Sequence, residues 1–372
     1  MGNLGIENGI FESQTVFSQI SNQFNGMTGF NAAGLSMLDT PNADPFTTAL
    51  DSAMQSVAQA NNQNATSSMD VFNGEPSQGG AVPVPGRESQ RNTLSGFVSG
   101  NIILANLPGT AIGHANFTTG GVITGVDYNM ASHLVIGALF SYAYTGAKLD
   151  NAGSALQDNS YSPGIYLGFR KHGFYVDALG SYTYNAYTMH RNITFTAPES
   201  VASSSPHSNQ FDLNAMAGYN FHLRHGLKLG PAVGVGYTHM NISGYTETGS
   251  AADLTVSPMS VDSLRSLVGG RIEYAWHPAG LSLPVDFSAN AFWQHEFLNG
   301  SRGITASFTE LGTGSFVIDT AGPARDSALL GAGVSGNVTK NITLFVNYES
   351  DISAGQGGLA QSVMAGVAIA LR

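Results

Sequence analysis

The strongest constraint in this 372-residue sequence is an alternation of side-chain character that begins near Thr93 and runs to Arg372. About a dozen stretches, each of roughly ten residues, carry an apolar side chain at every second position. Small or polar side chains fill the positions between them. Because successive side chains of a β-strand point to opposite faces, each stretch predicts a strand with one apolar face.

The composition favours strands that touch lipid. Charged residues are 10% of the chain, against roughly 25% in an ordinary soluble domain. The sequence has no run of about 18 consecutive apolar residues, so it predicts no membrane-spanning helix. Low charge with alternating hydrophobicity instead predicts an all-β fold, a transmembrane antiparallel β-barrel of about 12 strands.

The connections between the strands alternate between short and long. Short turns are predicted at 129–132, 171–173, 224–226, 277–280 and 339–341, and longer loops near 107–116, 146–158, 190–209, 240–261, 298–324 and 350–356. Bacterial outer-membrane barrels place short turns on the periplasmic side and long loops outside. Soluble β-sandwiches and propellers also alternate, but their polar positions face water and favour Lys and Glu. Here those positions are mostly Gly, Ala, Ser and Asn, which favours the membrane barrel.

The chain before the barrel has a different character. Residues 1–70 predict a helical pre-barrel segment, in which Phe11, Val16 or Phe17, Ile20 and Phe24 fall on roughly one helical face. Residues 45–60 predict a second helical stretch. Residues 71–92 are rich in Pro and Gly and predict a linker, and residues 93–372 form the barrel. We expect the helical segment to lie in or near the lumen.

The first residues lack the basic region and the apolar region of a secretory signal. An outer-membrane protein needs such a signal. We therefore expect the chain to be the C-terminal part of a longer precursor, with a truncated gene start as the alternative.

Several classes of function find no support in the sequence. A net charge of −11 argues against a nucleic-acid partner. The absence of Cys excludes disulfides and thiol catalysis. GAGVSG, at 331–336, has the spacing of a dinucleotide-binding loop, but it lies within a strand and no helix follows. No cofactor is expected.

The barrel carries sequence motifs of a known family. These are GGVITGVDY (120–128), LVIGALFSYAYTGAKLD (134–150), SYSPGIYLGFR (160–170), GFYVDALGSYTYNAY (173–187), VDSLRSLVGGRIEYAW (261–276), WQHEF (293–297) and RDSALLGAGVSGNVTKNITLFVNYES (325–350). In order and spacing they resemble the autotransporter β-domain, the translocator of type V secretion. The resemblance implies a twelve-stranded barrel in the outer membrane of a Gram-negative bacterium, threaded by a helix that connects to an exported passenger.

The resemblance also implies partners: outer-membrane lipid, the outer-membrane barrel assembly machinery and the chain's own passenger segment. The sequence departs from the family at its end, where AIALR replaces the usual terminal Phe or Trp. Some members cut off the passenger at an Asn in the helix. Asn61 and Asn62 fall near the expected helix, but the residues around them match that cleavage site poorly.

Ionisable residues at inward-facing strand positions are the candidate site. They have both signs and are predicted to line the lumen: Asp177, Asp212, Arg265, Arg271, Glu273, Asp286, Glu296, Arg325 and Glu349. A polar lumen that holds a helix is the favoured interpretation, and Arg265, Arg271 and Glu273 are the best candidates for gripping it. A catalytic pair would need a fixed separation that sequence does not reveal. His295 and Glu296 are adjacent in a strand, so their side chains should point in opposite directions.

The sequence as a whole predicts an outer-membrane translocator and anchor that exports an N-terminal passenger and catalyses no reaction. Three alternatives remain open at this point. The first is a passive outer-membrane pore. The second is an adhesin or enzyme that acts through the long loops at 190–209, 240–261 and 298–324. The third is a soluble β protein.

Overall fold

The sheet of the computed structural model closes on itself. The first strand, β1 (Leu94–Thr110), pairs antiparallel with the last strand, β18 (Leu359–Leu371), in an unbroken register from Leu94 opposite Leu371 to Asn106 opposite Leu359. The structure describes residues 1, 8–9, 11–14, 16–17, 20 and 94–371, apart from 111–112, 132, 150–152, 195–198, 277–284, 311–313, 321, 338, 340 and 355–357. Closure confirms the predicted barrel.

Twelve strands make the barrel wall, each antiparallel to its neighbours. Besides β1 and β18 they are β2 (Gly113–Ala131), β3 (Leu134–Leu149), β4 (Ser154–Lys171), β5 (Phe174–Ile193), β7 (His207–Tyr219), β9 (Leu227–Ile242), β12 (Met259–Trp276), β13 (Val285–Glu296), β16 (Asp326–Asn337) and β17 (Ile342–Ser353). Shorter strands are β6 (Ser200–Ser204), β8 (Phe221–His222), β10 (Tyr245–Thr246), β11 (Leu254–Val256), β14 (Arg302–Phe308) and β15 (Phe316–Thr320). A 3-10 helix spans Arg224–Gly226.

The two faces of the wall differ as the alternation predicted. On β9, Val233 and Val235 are exposed, whereas Ala232 and Gly236 at the alternate positions are buried. The same holds on β3, where Ile136 and Phe140 are exposed and Ser141 is buried. Because the exposed side chains are apolar over the whole wall, this outer surface faces lipid and the inner surface faces the lumen.

Two short connections, at 172–173 and 225–226, contain residues with left-handed backbone. His172 and Gly173, with φ of 52° and 89°, are the only residues between β4 and β5. Positive φ at both central residues is the type I′ geometry that matches the strand twist. A Cβ at Gly173 would lie 2.9 Å from the carbonyl oxygen of Asn220, so glycine also permits this close approach.

The longer connections contain more strand than the sequence predicted. The loop expected at 107–116 is wrong, because β1 continues to Thr110 and β2 begins at Gly113. The loops at 240–261 and 298–324 contain β10, β11, β14 and β15, which pair into a second, four-stranded sheet. Short β-branched segments such as Leu254–Val256 favour strands, but they were too short to stand out from the surrounding loop. The strict alternation of short and long loops therefore does not hold.

A helical segment lies at the start of the chain. Residues 8–9, 11–14, 16–17 and 20 are helical. Phe11, Val16, Phe17 and Ile20 are at most 2% exposed, and the polar Ser13 and Gln14 are also buried. The helix is therefore buried on more than one face, unlike the single apolar face expected, because the barrel surrounds it. Phe24, the helical stretch at 45–60 and the linker at 71–92 lie outside the described residues. Within the described part of the chain, no helix is long and apolar enough to cross a bilayer.

The lipid-facing assignment predicts a depth-dependent cost for charge. Val235 lies at the middle of β9 and Val201 lies on β6, which pairs with the end of β5 beyond β7; the two are 47% and 45% exposed. We expect Val235→Arg to lower the free energy of unfolding by about 2–4 kcal/mol and the matched Val201→Arg by about 0–1 kcal/mol. Urea titration of the refolded barrel in lipid vesicles measures both, and equal costs would contradict the assignment.

Candidate functional site

The N-terminal helix occupies the barrel lumen. Phe11 belongs to an apolar cluster with Ile103, Leu156 and Tyr187, which lie in the halves of their strands nearer the long loops. Val16, Phe17 and Ile20 belong to a second cluster. That cluster includes Phe97, Tyr166 and Tyr175, which lie near the short-turn ends of β1, β4 and β5. Phe11 thus packs in the long-loop half, whereas the second cluster, which also contains Met240 and Val261, extends from the long-loop ends to the short-turn ends of the wall.

Gly9 of the helix lies close to polar side chains of the wall. A Cβ at this position would lie 3.0 Å from Oδ1 of Asp212 and 3.6 Å from Nε2 of Gln210. Asp212 is held by the wall itself. Its Oδ1 accepts a hydrogen bond from Thr238 at 2.7 Å, and its Oδ2 accepts one from Gln210 at 2.7 Å. A side chain larger than glycine would therefore meet a carboxylate that has little freedom to move.

A second polar contact lies one residue earlier. The hydroxyl of Thr119 donates to Oδ1 of Asn8 at 3.3 Å, and the same hydroxyl is 2.7 Å from that of Thr145. Thr119 and Thr145 pair across β2 and β3. Residues 8 and 9 thus contact the wall on both sides of the lumen, at β2 and at β7.

The strongest ion pair of the lumen lies near the short turns. Arg170 donates to both carboxylate oxygens of Asp177, at 2.5 and 3.0 Å, and Arg271 approaches Asp177 at 3.9 Å. Both guanidinium groups lie over the ring of Tyr175, at 4.8 and 5.4 Å from its centre. Asp177 is fully buried, and a bidentate arginine is the partner best suited to such a carboxylate.

Arg271 and Glu273, two of the three residues expected to hold the helix, form ion pairs with residues of the wall. Arg271 pairs with Asp177, and Glu273 pairs with Lys228 at 3.3 Å, so these contacts join wall strands to one another. Of the three candidates, Arg265 is the one that interacts electrostatically with Asp212, the carboxylate beside Gly9 of the helix, and it is buried. A role of Arg265 in holding the helix stays a prediction.

The remaining candidates divide into wall residues and one rim residue. Asp286, Glu296 and Glu349 are buried on the inner face, and Glu349 lies near Arg271. Glu296 accepts hydrogen bonds from the Ser263 hydroxyl at 2.5 Å and from two backbone amides. Arg325 does not line the lumen: it precedes β16, is exposed, and donates to Asn299 at 2.7 Å. Alternation misplaced Arg325 because the strand pattern does not mark where the wall ends.

Several residues of the site were missed by the sequence interpretation. Arg170 shares its strand face with the inward Tyr166, so the parity of β4 could have found it. Gly9 and Glu12 carried no such signal, because a helix inside a barrel has no outward face to set its rotation. His295 and Glu296 do point apart: His295 bonds Asp326 on the outer face at 2.8 Å, whereas Glu296 is buried in the lumen.

An ion pair joins two of the connections at the long-loop end. Arg191, at the end of β5, donates through two nitrogens to the carboxylate of Glu247 and also to the carbonyl of Ala252 at 2.9 Å. Burial, and then the nearby Glu247, raises the pKa of Tyr245 in the loop sheet. Burial lowers the pKa of Arg302 in the same sheet, and Glu296 and Asp262 oppose that shift. These contacts fix the loops beside the mouth of the barrel. Among the described residues, no three or more His, Asp and Glu side chains are grouped to hold a metal ion.

Comparison with known families decides what this barrel is. The autotransporter β-domain profile matches residues 106–349, which is most of the barrel wall. The chain belongs to the autotransporter β-domain family. Autotransporter β-domains are outer-membrane translocators, so this barrel is an outer-membrane translocator domain.

Two curated relatives show how much of a longer protein the chain corresponds to. An extracellular serine protease of Serratia marcescens is 25% identical over 251 residues, which are 66% of this chain and 24% of that protein. Outer membrane protein A of Rickettsia conorii is 25% identical over 319 residues, which are 82% of this chain and 15% of that protein. The chain thus spans a quarter or less of the length of these relatives.

Two solved structures share the fold. The translocator domain of the autotransporter NalP from Neisseria meningitidis has a TM-score of 0.60 at 14% identity, covering 74% of this chain and 88% of that chain. The β-domain of the Bordetella autotransporter BrkA has a TM-score of 0.56 at 18% identity, covering 75% of this chain and 100% of that chain. At these identities the likeness shows the fold alone.

The seat at Gly9 predicts that a larger side chain displaces the helix and spares the barrel. Gly9→Leu would overlap a pinned Asp212, and overpacking of this kind costs about 1–3 kcal/mol. We expect trypsin and proteinase K to cut the N-terminal segment faster in this variant, while the barrel keeps its heat-dependent gel mobility. Gly120→Leu is the control, because a Cβ at Gly120 meets nothing within 4 Å. Equal protection of both variants would contradict the proposed seat.

Proposed function

We propose that the barrel anchors an exported passenger and keeps the trailing end of that passenger as the helix in its lumen. The observation that carries the proposal is the position of residues 8–20: most of their described members are buried, and the sheet around them is closed. The passenger upstream would then leave through the long-loop mouth.

The direction of the helix supports this arrangement. Residue 8 contacts Thr119 in the long-loop half of β2, and Phe11 packs among residues of that half. Residues 16, 17 and 20 extend toward Phe97, near the start of β1. A passenger exported in this way would be tethered outside by a helix that ends inside.

The outer surface supports a partnership with lipid and with the assembly machinery of the outer membrane. Exposed Val, Leu, Ile and aromatic side chains cover the wall facing outward. Before the sheet closes, its first and last strands have unpaired backbone groups, which are costly in lipid. We therefore propose assisted insertion, although the chain ends in Leu371 and Arg372 rather than in an aromatic residue.

We further propose that the barrel itself catalyses no reaction. Three of its buried carboxylates are occupied by structural contacts: Asp177 by arginine, Asp212 by two hydrogen bonds, and Glu296 by a hydroxyl and two amides. A general base needs a free position against a substrate. The Serratia relatives are described as proteases, and any such activity here would belong to a passenger.

An export assay tests the proposed function. With a signal peptide and an epitope placed before Met1, expression in a Gram-negative host should bring the epitope to the cell surface, where external protease removes it. Disrupting the β1–β18 seam should abolish this display, because the wall then has free edges in lipid. We propose Val98→Pro together with Val367→Pro, since these residues pair across the seam.

The matched control is a proline pair outside the wall. Val317→Pro with Ile304→Pro alters β15 and β14 of the loop sheet and leaves the seam unchanged. Display that persists with the seam variant, or an epitope that remains periplasmic with the unaltered barrel, would contradict the proposed function.

A pore is the second candidate, and the charges of the lumen favour a specific version of it. Among the described residues, inward carboxylates outnumber inward basic groups. The acids are Asp127, Asp158, Asp177, Asp212, Glu273, Asp286, Glu296, Glu349 and Asp351, and the bases are Arg170, Lys228, Arg265 and Arg271. With the helix in place, Val16, Phe17 and Ile20 pack in an apolar cluster with side chains of the wall and occupy part of the lumen.

We therefore expect the intact chain to pass little current in planar bilayers and a variant without residues 1–20 to form a larger, cation-selective channel. Reversal potentials in a KCl gradient measure the selectivity. An intact chain that conducts as well as the shortened one would favour a passive pore over a tethering barrel.

A further inference from the structure

A cavity remains beside the helix in the long-loop half of the lumen. It offers about 40 Å³ to water-sized groups, which is room for about two or three such groups. Hydroxyl and amide side chains of the wall form most of its lining, among them Asn101, Thr119, Ser162 and Thr183. The helix contributes Asn8, Gly9 and Glu12. The cavity is thus surrounded by neutral oxygen atoms and one carboxylate.

The carboxylate of Glu12 has no counter-charge among the residues that line this cavity. Its Oε1 is buried and has no hydrogen-bond partner among the described residues. Its neighbours include the hydroxyl of Ser181, which lies within hydrogen-bonding reach of the carboxylate, and the like-charged carboxylate of Asp212. Glu12 lies three residues after Gly9, so both face the same side of the lumen.

Charge balance singles out Glu12 rather than Asp212. Asp212 has two hydrogen-bond donors and lies in the field of Arg265. The residues that line the cavity include no Lys, Arg or His. An isolated carboxylate buried without a counter-charge costs far more than a protein tolerates, so a cation or a proton must neutralise it.

We propose that this cavity binds one monovalent cation of the size of Na⁺ or K⁺, coordinated by Glu12 and by the neutral oxygens of the wall. A divalent ion is the poorer fit, because Ca²⁺ sites combine several carboxylates and Mg²⁺ demands an octahedral set. The bound cation joins the helix to β2, β4 and β5 without a direct ion pair. The inference concerns the lumen of the folded chain and stands apart from passenger export.

The cation dependence of stability tests the site. The purified full chain in detergent is heated in NaCl, KCl or choline chloride at equal ionic strength, and the midpoint of the heat-dependent gel shift is recorded. Choline is too large for the cavity. We expect Na⁺ or K⁺ to raise the midpoint by about 2–5 °C over choline once its concentration exceeds the dissociation constant tenfold.

Glu12→Gln should abolish that rise, because it keeps the side-chain shape and removes the charge. Asp326→Asn is the matched control: it removes an outer-face carboxylate that bonds His295, and it should leave the cation effect unchanged. Equal midpoints in all three salts, or a full cation effect in Glu12→Gln, would overturn the site. Midpoints that follow pH but not the cation would mean that a proton neutralises Glu12, which also overturns it.

A second measurement tests the site without a substitution, in case Glu12→Gln does not fold. Crystals of the unaltered chain grown with Tl⁺ should show an anomalous peak between Glu12 and the wall hydroxyls. A well-ordered lumen without that peak would contradict the proposal independently of any substitution.

Discussion

Closure of the backbone hydrogen-bond ladder is the condition on which every other feature of this molecule depends. In lipid an unpaired N–H or C=O group costs several kcal/mol, so a sheet survives only if its first and last strands meet. Here Leu94–Asn106 and Leu359–Leu371 meet in an uninterrupted register. Once the wall is closed, alternate side chains necessarily face an enclosed space. That space is what makes a lumen, a plug and a cavity possible.

The enclosed space changes the usual rule for burial. On a soluble sheet, inward positions would be uniformly apolar, whereas this wall buries Asp177, Asp212 and Arg265 beside Leu179 and Met216. The wall can do so because its polar groups pair with one another across strands, as Arg170 does with Asp177 and Thr238 with Asp212. The helix contributes the apolar side chains Phe11, Val16, Phe17 and Ile20 that the mixed wall lacks. Plug and wall are therefore complementary in polarity as well as in shape.

The alternation of the sequence was enough to predict the barrel, its lipid-facing side and most of the inward charges, because a period of two leaves only two choices for each strand. It failed where that period ends. Arg325 lies past the wall, and the loop strands β10 and β11 are too short to show a pattern. Sequence also could not pair Gly9 with Asp212, which are far apart in the chain and meet only through the depth and rotation of a helix. Contacts between a helix and the wall around it require coordinates.

The way the wall holds Asp212 has a consequence for the order of assembly. Both of its oxygens are already engaged by Thr238 and Gln210, residues of β9 and β7, so the helix adds nothing to its orientation. The socket for Gly9 is complete as soon as those two strands pair. A translocating chain would thus pass a wall that is already formed and stop when Gly9 arrives opposite that carboxylate. The position at which export stops would then be set by the wall before the passenger is exported.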